Sequence, residues 1–196
     1  WSSSNPDPII SSYWRMKPVA RPYKHKRIYW NVEHADGVNF KREINMRNIN
    51  KIIIHCSDSD WGDAPEIDRW HKERGWDSIG YHYVITNGRL ESSSTYTEDD
   101  DGIVQEGRNI EISGAHAKGY NSTSVGICLI GKHHFTGRQL YRGLPTIVDL
   151  LLNKYKLTPD SVFGHTELDP HKTCPNFEVI NFRALLRLGG NNDIRG

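Results

Sequence analysis

His55 closes the β-branched run IIIH, His165 closes the short run SVFGH, and Cys174 follows one loop later in HTELDPHKTC. Imidazole nitrogen and thiolate sulfur are the donors zinc prefers. Three protein donors leave a fourth tetrahedral position open, the arrangement of catalytic rather than structural sites. An ion held in this way polarises a carbonyl and brings the ionisation of water toward neutral pH. His165 and Cys174 lie nine positions apart, which matches no compact zinc-finger spacing, and the chain has ten histidines. Two other readings therefore stand beside the metal. In one, His55 is a satisfied buried imidazole and Cys174 a small core residue. In the other, Cys174 is a nucleophile with a histidine as its base.

These residues need elements to place them. NKIIIHCS, an apolar run between polar residues, predicts a buried strand ending near His55. Asp63-Ala64-Pro65 predicts a helix start, EIDRWHKER its body and Gly75 its stop. IGYHYVI predicts a second strand, and Asn87-Gly88 a hairpin turn into GRLES. The acidic stretch SSSTYTEDDDG, residues 92–102, predicts a surface loop. IVQEGR and SVGICLIG read as strands, separated by the small-residue segment SGAHAKGYN. Leu140, Leu144, Ile147 and Leu151 share one face of a helix that ends near Lys156. SVFGH predicts a short strand, and NFRALLRL a last helix before Gly189-Gly190. Strands alternating with helices predict an α/β domain, a central mixed β-sheet flanked by helices.

With 196 residues the chain suffices for one domain and an arm. A composition 36% hydrophobic and 25% charged is globular, and the apolar runs are too short to span a membrane. The net charge of +1 creates no field of the kind that marks nucleic-acid binders, so no nucleic-acid partner is expected. That balance hides an asymmetry: residues 1–47 carry 9 Lys/Arg against 4 Asp/Glu, leaving 16 against 20 for the rest. We read 1–47 as a basic, aromatic N-terminal arm, extended and with one strand at RIYWNV, and 48–196 as the domain. Three cysteines make no disulfide framework, and Cys56 and Cys128, in or beside apolar strands, are expected to be core thiols. The start at Trp1 instead of Met is the expectation for a trimmed N-terminus, so the lack of an export signal says nothing about export.

IIIHCSDS, WHKERGWDSIGYHYVI, EGR, GAHAKGYNSTSVGICLIG and GHTELDPHKTCPNF occur in this order. Together they resemble the type-2 N-acetylmuramoyl-L-alanine amidases, especially the phage T7-lysozyme branch, and are similar to the peptidoglycan recognition proteins. The resemblance runs from about Asn48 to Leu186. It implies a zinc-dependent hydrolase that cuts the amide between the lactyl group of N-acetylmuramic acid and L-alanine of the stem peptide. Its zinc ligands fall on His55, His165 and Cys174, its active-site tyrosine on Tyr81 and its active-site lysine on Lys172. In that chemistry water attacks the amide carbonyl, Lys172 stabilises the oxyanion, and Tyr81 orients the water or the tetrahedral species. The implied partner is peptidoglycan and the implied setting the bacterial cell wall, as for a phage endolysin or a virion-associated wall hydrolase. The family fold also serves other ends: peptidoglycan binding without catalysis, for which loss of the metal cysteine would be the sign, and inhibition of a phage RNA polymerase.

Each assignment has a plainer rival. Tyr81 alternates with His82 along a strand, so one of the two faces the core. His116, in a Gly-containing segment, is a candidate wall of the substrate groove, and Asn121 and Lys118 are candidate contacts to glycan or peptide, although Asn121 equally suits a loop-structural role. Trp61 is either a sugar-stacking surface or a packing anchor, and Trp76 reads as packing. His71, His133, His134 and His171 read as ordinary surface or adjoining residues. Residues 1–47 lie outside the resemblance. They are read as binding anionic wall, packing as an extra strand, or attaching the chain to a larger assembly such as a virion.

Overall fold

The computed structural model of the chain describes residues 16–18, 28–33, 39–44 and 47–189. The chain divides into two units, Trp1–Met46 and Arg47–Gly196. In the first, β1 (Met16–Pro18), β2 (Ile28–Glu33) and β3 (Asn39–Ile44) form an antiparallel sheet in the order β1-β2-β3. The strand expected at RIYWNV is β2. Its two neighbours correct the reading of an extended arm with one strand. They escape sequence reading because β1 has three residues and ends in proline, while half of NFKREI is charged.

The second unit runs β4 (Lys51–Cys56), α1 (Ala64–Glu73), β5 (Tyr83–Asn87), β6 (Asp101–Glu106), β7 (Ser124–Leu129), α2 (Leu144–Tyr155), β8 (Val162–Gly164), α3 (His165–Leu168) and α4 (Val179–Gly189). Its sheet has the order β6-β5-β7-β4-β8, with β6 antiparallel to β5 and the other pairs parallel. This is the mixed sheet expected. β7 is buried along its whole length, as a central parallel strand covered on both faces must be. One face, carrying Ile52, Ile54, Ile85, Ile127 and Leu129, packs on Leu144, Val148 and Leu151 of α2 and Phe182 of α4. The other, carrying Val84 and Cys128, packs on Ala64 and Ile67 of α1. His55 pairs in register with Cys128 and shares that second face.

Local chemistry sets the element ends. Asp63 caps α1 by accepting the Glu66 N–H at 2.8 Å, and Gly75, at φ +83°, follows its end. The apolar face starting at Leu140 begins one turn before α2, in a π-helical turn over Gln139–Gly143. There the buried Gln139 side chain donates to the carbonyls of Ile85 (3.0 Å) and Ile130 (2.8 Å), tying the turn to the sheet.

Three expectations need correction. β5 starts at Tyr83 and not at Ile79, because the Gly80 N–H is taken by His71 Nδ1 at 2.9 Å instead of a neighbouring strand. Asn87-Gly88 does end β5, but GRLES is not its partner. The turn closes on Asp100, whose carbonyl accepts from Gly88 N (3.2 Å) and Thr86 Oγ1 (2.5 Å), so the antiparallel partner is β6. Asp101 and Gly102 therefore belong to β6 and not to the loop. The buried Asp101 carboxylate accepts from Tyr96 Oη (3.0 Å) and Thr136 Oγ1 (2.6 Å), which anchors the acidic loop to the domain. Among the described residues no helix is long and apolar enough to cross a membrane.

Candidate active site

β4 and β8 are adjacent and parallel, so their carboxyl ends open on the same edge of the sheet, where α/β folds place their sites. Ile54 pairs with Gly164, and the next residue along each strand is His55 and His165. Their rings stand 4.6 Å apart between centroids. Cys174 is brought to them by two backbone ties: its carbonyl accepts the Thr166 N–H at 2.8 Å, and its Sγ accepts the Cys56 N–H at 3.1 Å. One donor atom from each of His55, His165 and Cys174 lies within 4.8 Å of the others, and among the described residues no second such cluster occurs. A tetrahedral ion with bonds of ~2.0–2.3 Å holds its donors roughly 3.3–3.8 Å apart. His55 Nδ1 and Cys174 Sγ, at 3.7 Å, already have that separation. The donor set therefore fits zinc in type and number, with one pair of donors at the spacing zinc requires.

Protonation agrees. Burial holds the His55 imidazole well below its ordinary value, and the neighbouring His116 and His165 push it the same way. Burial also lowers His165, assisted by the Lys172 ammonium. Both rings are thus neutral and offer a lone pair. Hydrogen bonding to Cys56 and burial push the Cys174 thiol up, an order that a bound cation reverses by stabilising the thiolate.

The Tyr81 ring lies 5.1 Å from His55 and 5.6 Å from His71 between centroids. Desolvation holds its phenol well above the ordinary range, so Tyr81 remains a hydroxyl donor. His82, its neighbour, takes the core side: it is buried, its Nδ1 accepts the Gly126 N–H at 3.0 Å, and burial pushes it down to about 4. Lys172 is exposed, with its backbone N–H on the Asp169 carbonyl at 3.0 Å. Tyr81 thus borders the His-Cys cluster, and the Lys172 ammonium is near enough to His165 to lower it.

His116, the candidate groove-wall residue, is half-buried beside the cluster. Its Nδ1 lies 3.0 Å from His55 Nε2, and burial with the nearby His82 pushes it down to about 3. Asn121 Oδ1 accepts the backbone N–H groups of His116 (2.8 Å) and Ala117 (2.9 Å), so that oxygen is committed to shaping the loop. Lys118 is exposed. Of the two places read for His71, surface or adjoining the site, the structure shows the second: it is buried beside Tyr81, with its Nδ1 accepting the Gly80 N–H. Trp76 is 41% exposed with its ring 4.4 Å from His71, while Trp61 stacks edge-on against Trp70 at 5.1 Å.

Sequence reading misses Arg47. Its guanidinium donates to the carbonyls of Ile110 (2.8 Å), Ile112 (3.0 Å), Asn121 (2.5 Å) and Ser124 (2.7 Å), and so gathers the segment that carries His116. No motif marks it, since its partners are backbone carbonyls more than sixty residues away.

Residues 45–177 match the family model described as N-acetylmuramoyl-L-alanine amidase. The endolysin of Escherichia phage T7 is 34% identical over 153 residues, 72% of this chain and 88% of its own length. The endolysin of Klebsiella phage KP32 is 35% identical over 142 residues, 66% of this chain and 82% of its own. Among solved structures, the endolysin N-acetylmuramoyl-L-alanine amidase LysCS from Clostridium intestinale is similar at TM-score 0.61 and 29% identity, covering 74% of this chain and 86% of that one. Wild-type Drosophila PGRP-LB is similar at TM-score 0.52 and 25% identity, covering 69% and 86%.

Proposed function

The chain belongs to the N-acetylmuramoyl-L-alanine amidase family and is an amidase of that kind, and from this premise we propose that it is zinc-dependent, with His55, His165 and Cys174 as the ligands. Its substrate in this reading is peptidoglycan, cut at the amide between the lactyl group of N-acetylmuramic acid and L-alanine. Its role is that of a phage lysin or wall hydrolase, the setting of the endolysins it resembles. Residues 48–196 form the catalytic domain in this reading, and 1–47 a basic N-terminal piece. The observation that carries the metal reading is the convergence of three donor atoms within 4.8 Å on the carboxyl edge of two parallel strands.

Bound zinc supplies Lewis acidity to the scissile carbonyl and to water. The protein supplies the rest. Tyr81, kept protonated by its surroundings, donates a hydrogen bond that orients the attacking water or the carbonyl oxygen as it gains charge. Lys172, whose ammonium is close enough to depress His165, places a positive charge beside the same oxygen. His55 and His165, both held neutral, present lone pairs without first losing a proton.

The test is release of free L-alanine amino termini from purified peptidoglycan. Activity should vanish with a chelator and return with zinc, and Cys174→Ala should lose both zinc and activity. Lys172→Ala should keep its zinc and turn over about 10²-fold more slowly, the usual cost of one oxyanion partner. Activity that survives complete removal of the metal would make Cys174 a nucleophile instead.

A further inference from the structure

We propose that His116 is a positioning residue for the metal site: its Nδ1 accepts the Nε2–H of His55 and thereby decides which nitrogen of His55 faces the ion. This rests on the zinc reading above and adds to it a residue that touches neither zinc nor substrate.

A neutral imidazole has one N–H and one lone pair. The two nitrogens of His55 have different neighbours: Nδ1 is 3.7 Å from Cys174 Sγ, and Nε2 is 3.0 Å from His116 Nδ1. With the hydrogen on Nε2, the lone pair of Nδ1 is left on the side of the other two ligands. The hydrogens beyond His116 run in the same direction. Having accepted at Nδ1, His116 carries its own hydrogen on Nε2, which lies 3.5 Å from Ser124 Oγ. Ser124 Oγ in turn donates to the Tyr120 carbonyl at 2.7 Å, leaving its lone pairs to face His116. An unbroken chain of donors therefore leads from the ligand to a loop carbonyl, and only the Nε2–H form of His55 satisfies it.

The ring is also built in. A Cβ at Gly126 would stand 2.6 Å from His116 Cγ and Cδ2, and one at Gly114 2.4 Å from Cδ2. Glycine weakens a strand, yet Gly126 sits in the middle of the fully buried β7, where the space it leaves is taken by this imidazole. Asn121 holds the His116 backbone N–H, and Arg47 gathers the carbonyls on both sides of the segment. A residue touched only by substrate would not need fixing by two glycine positions and through its backbone.

Partners that take the second N–H of a metal-binding histidine are worth roughly 10–100-fold in metal affinity. The experiment measures the zinc dissociation constant by chelator competition for the full chain, His116→Leu, which removes the acceptor, and His116→Asn, whose side-chain oxygen stands near the Nδ1 position. Zinc-free samples are compared by thermal unfolding. His116→Leu should bind zinc 10–100-fold more weakly and His116→Asn within a few-fold of the parent. Because His116→Leu can fail to fold, the parent protein gives a second readout: the imidazole nitrogen spectrum of zinc-loaded protein should show His55 protonated at Nε2. A hydrogen on Nδ1, zinc binding by His116→Leu equal to the parent, or equal weakening in both variants overturns the proposal while leaving the metal reading intact. A parent protein that takes up no zinc overturns both.

Discussion

Replacing Gly126 by alanine should destabilise the domain, although a strand ordinarily favours alanine over glycine by roughly 0.5–1 kcal/mol. The added Cβ would lie 2.6 Å from two carbons of the His116 ring and 2.8 Å from its Nδ1, whereas ordinary contact begins near 3.4 Å, so the ring must retreat by about 0.8 Å. Gly114 crowds the same ring, since a Cβ there would meet its Cδ2 at 2.4 Å. A retreat of that size away from His55 stretches the 3.0 Å bond between them beyond hydrogen-bonding range. Overpacking of this kind costs about 1–3 kcal/mol, and a lost hydrogen bond about 1 kcal/mol more. Against the strand preference, the net expectation is a loss of about 1–3 kcal/mol. Urea unfolding measures it, with Gly137→Ala as the control, because a Cβ there would meet only Tyr141 at 3.9 Å. The double-mutant cycle isolates the cause: in a His116→Ala background the Gly126→Ala penalty should vanish or change sign. If Gly126→Ala alone is as stable as the parent and binds zinc as tightly, the ring does not occupy the place between the two glycines and the reasoning fails.

Two further outcomes are expected. Arg47→Met should lower stability by about 2–4 kcal/mol, since four backbone carbonyls lose a charged donor and regain only part of their hydrogen bonding from water; a change below about 0.5 kcal/mol in urea unfolding would deny it the role of gathering residues 110–124. Acid should destabilise the zinc-free domain through His82, whose pKa is about 4 when folded against an ordinary 6.5. The unfolded chain takes up the proton first, so this contribution is complete above pH 6.5 and lost as the pH falls toward 4, about 3 kcal/mol in all. Urea midpoints followed across that window should fall less steeply in His82→Asn, and equal slopes would show that His82 is not the group responsible.

What the sequence makes legible follows from where the physical causes lie. β4, β7, α1 and α4 are written locally, as apolar runs and as the Asp63 cap with Pro65 behind it. The pairing of β5 with β6 is not, because Gly88 closes on Asp100 through contacts that no window around Asn87 contains. β1 and β3 hide for another reason, since short, charged strands carry no apolar signal. The three metal-donor candidates occupy an intermediate position. His55 and His165 can each be seen at a strand end, but what makes them neighbours is the register of Ile54 with Gly164, a property of two strands together.

His116 carries that lesson furthest. Read alone, GAHAKGYN suggests flexible backbone near a ligand, and Gly126 in SVGICLIG suggests a weak point in a strand. Both glycines have the same cause: each vacates the volume of a Cβ on one side of a single imidazole. The sequence makes that imidazole a candidate for the groove wall, because a Gly-containing segment lets backbone approach a ligand closely. The structure sets its Nδ1 3.0 Å from His55 Nε2. A glycine with no turn to make, in the middle of a buried parallel strand, is therefore the signal that could have been read: it marks where a side chain from elsewhere must fit, and the His55 ring is the group that side chain reaches.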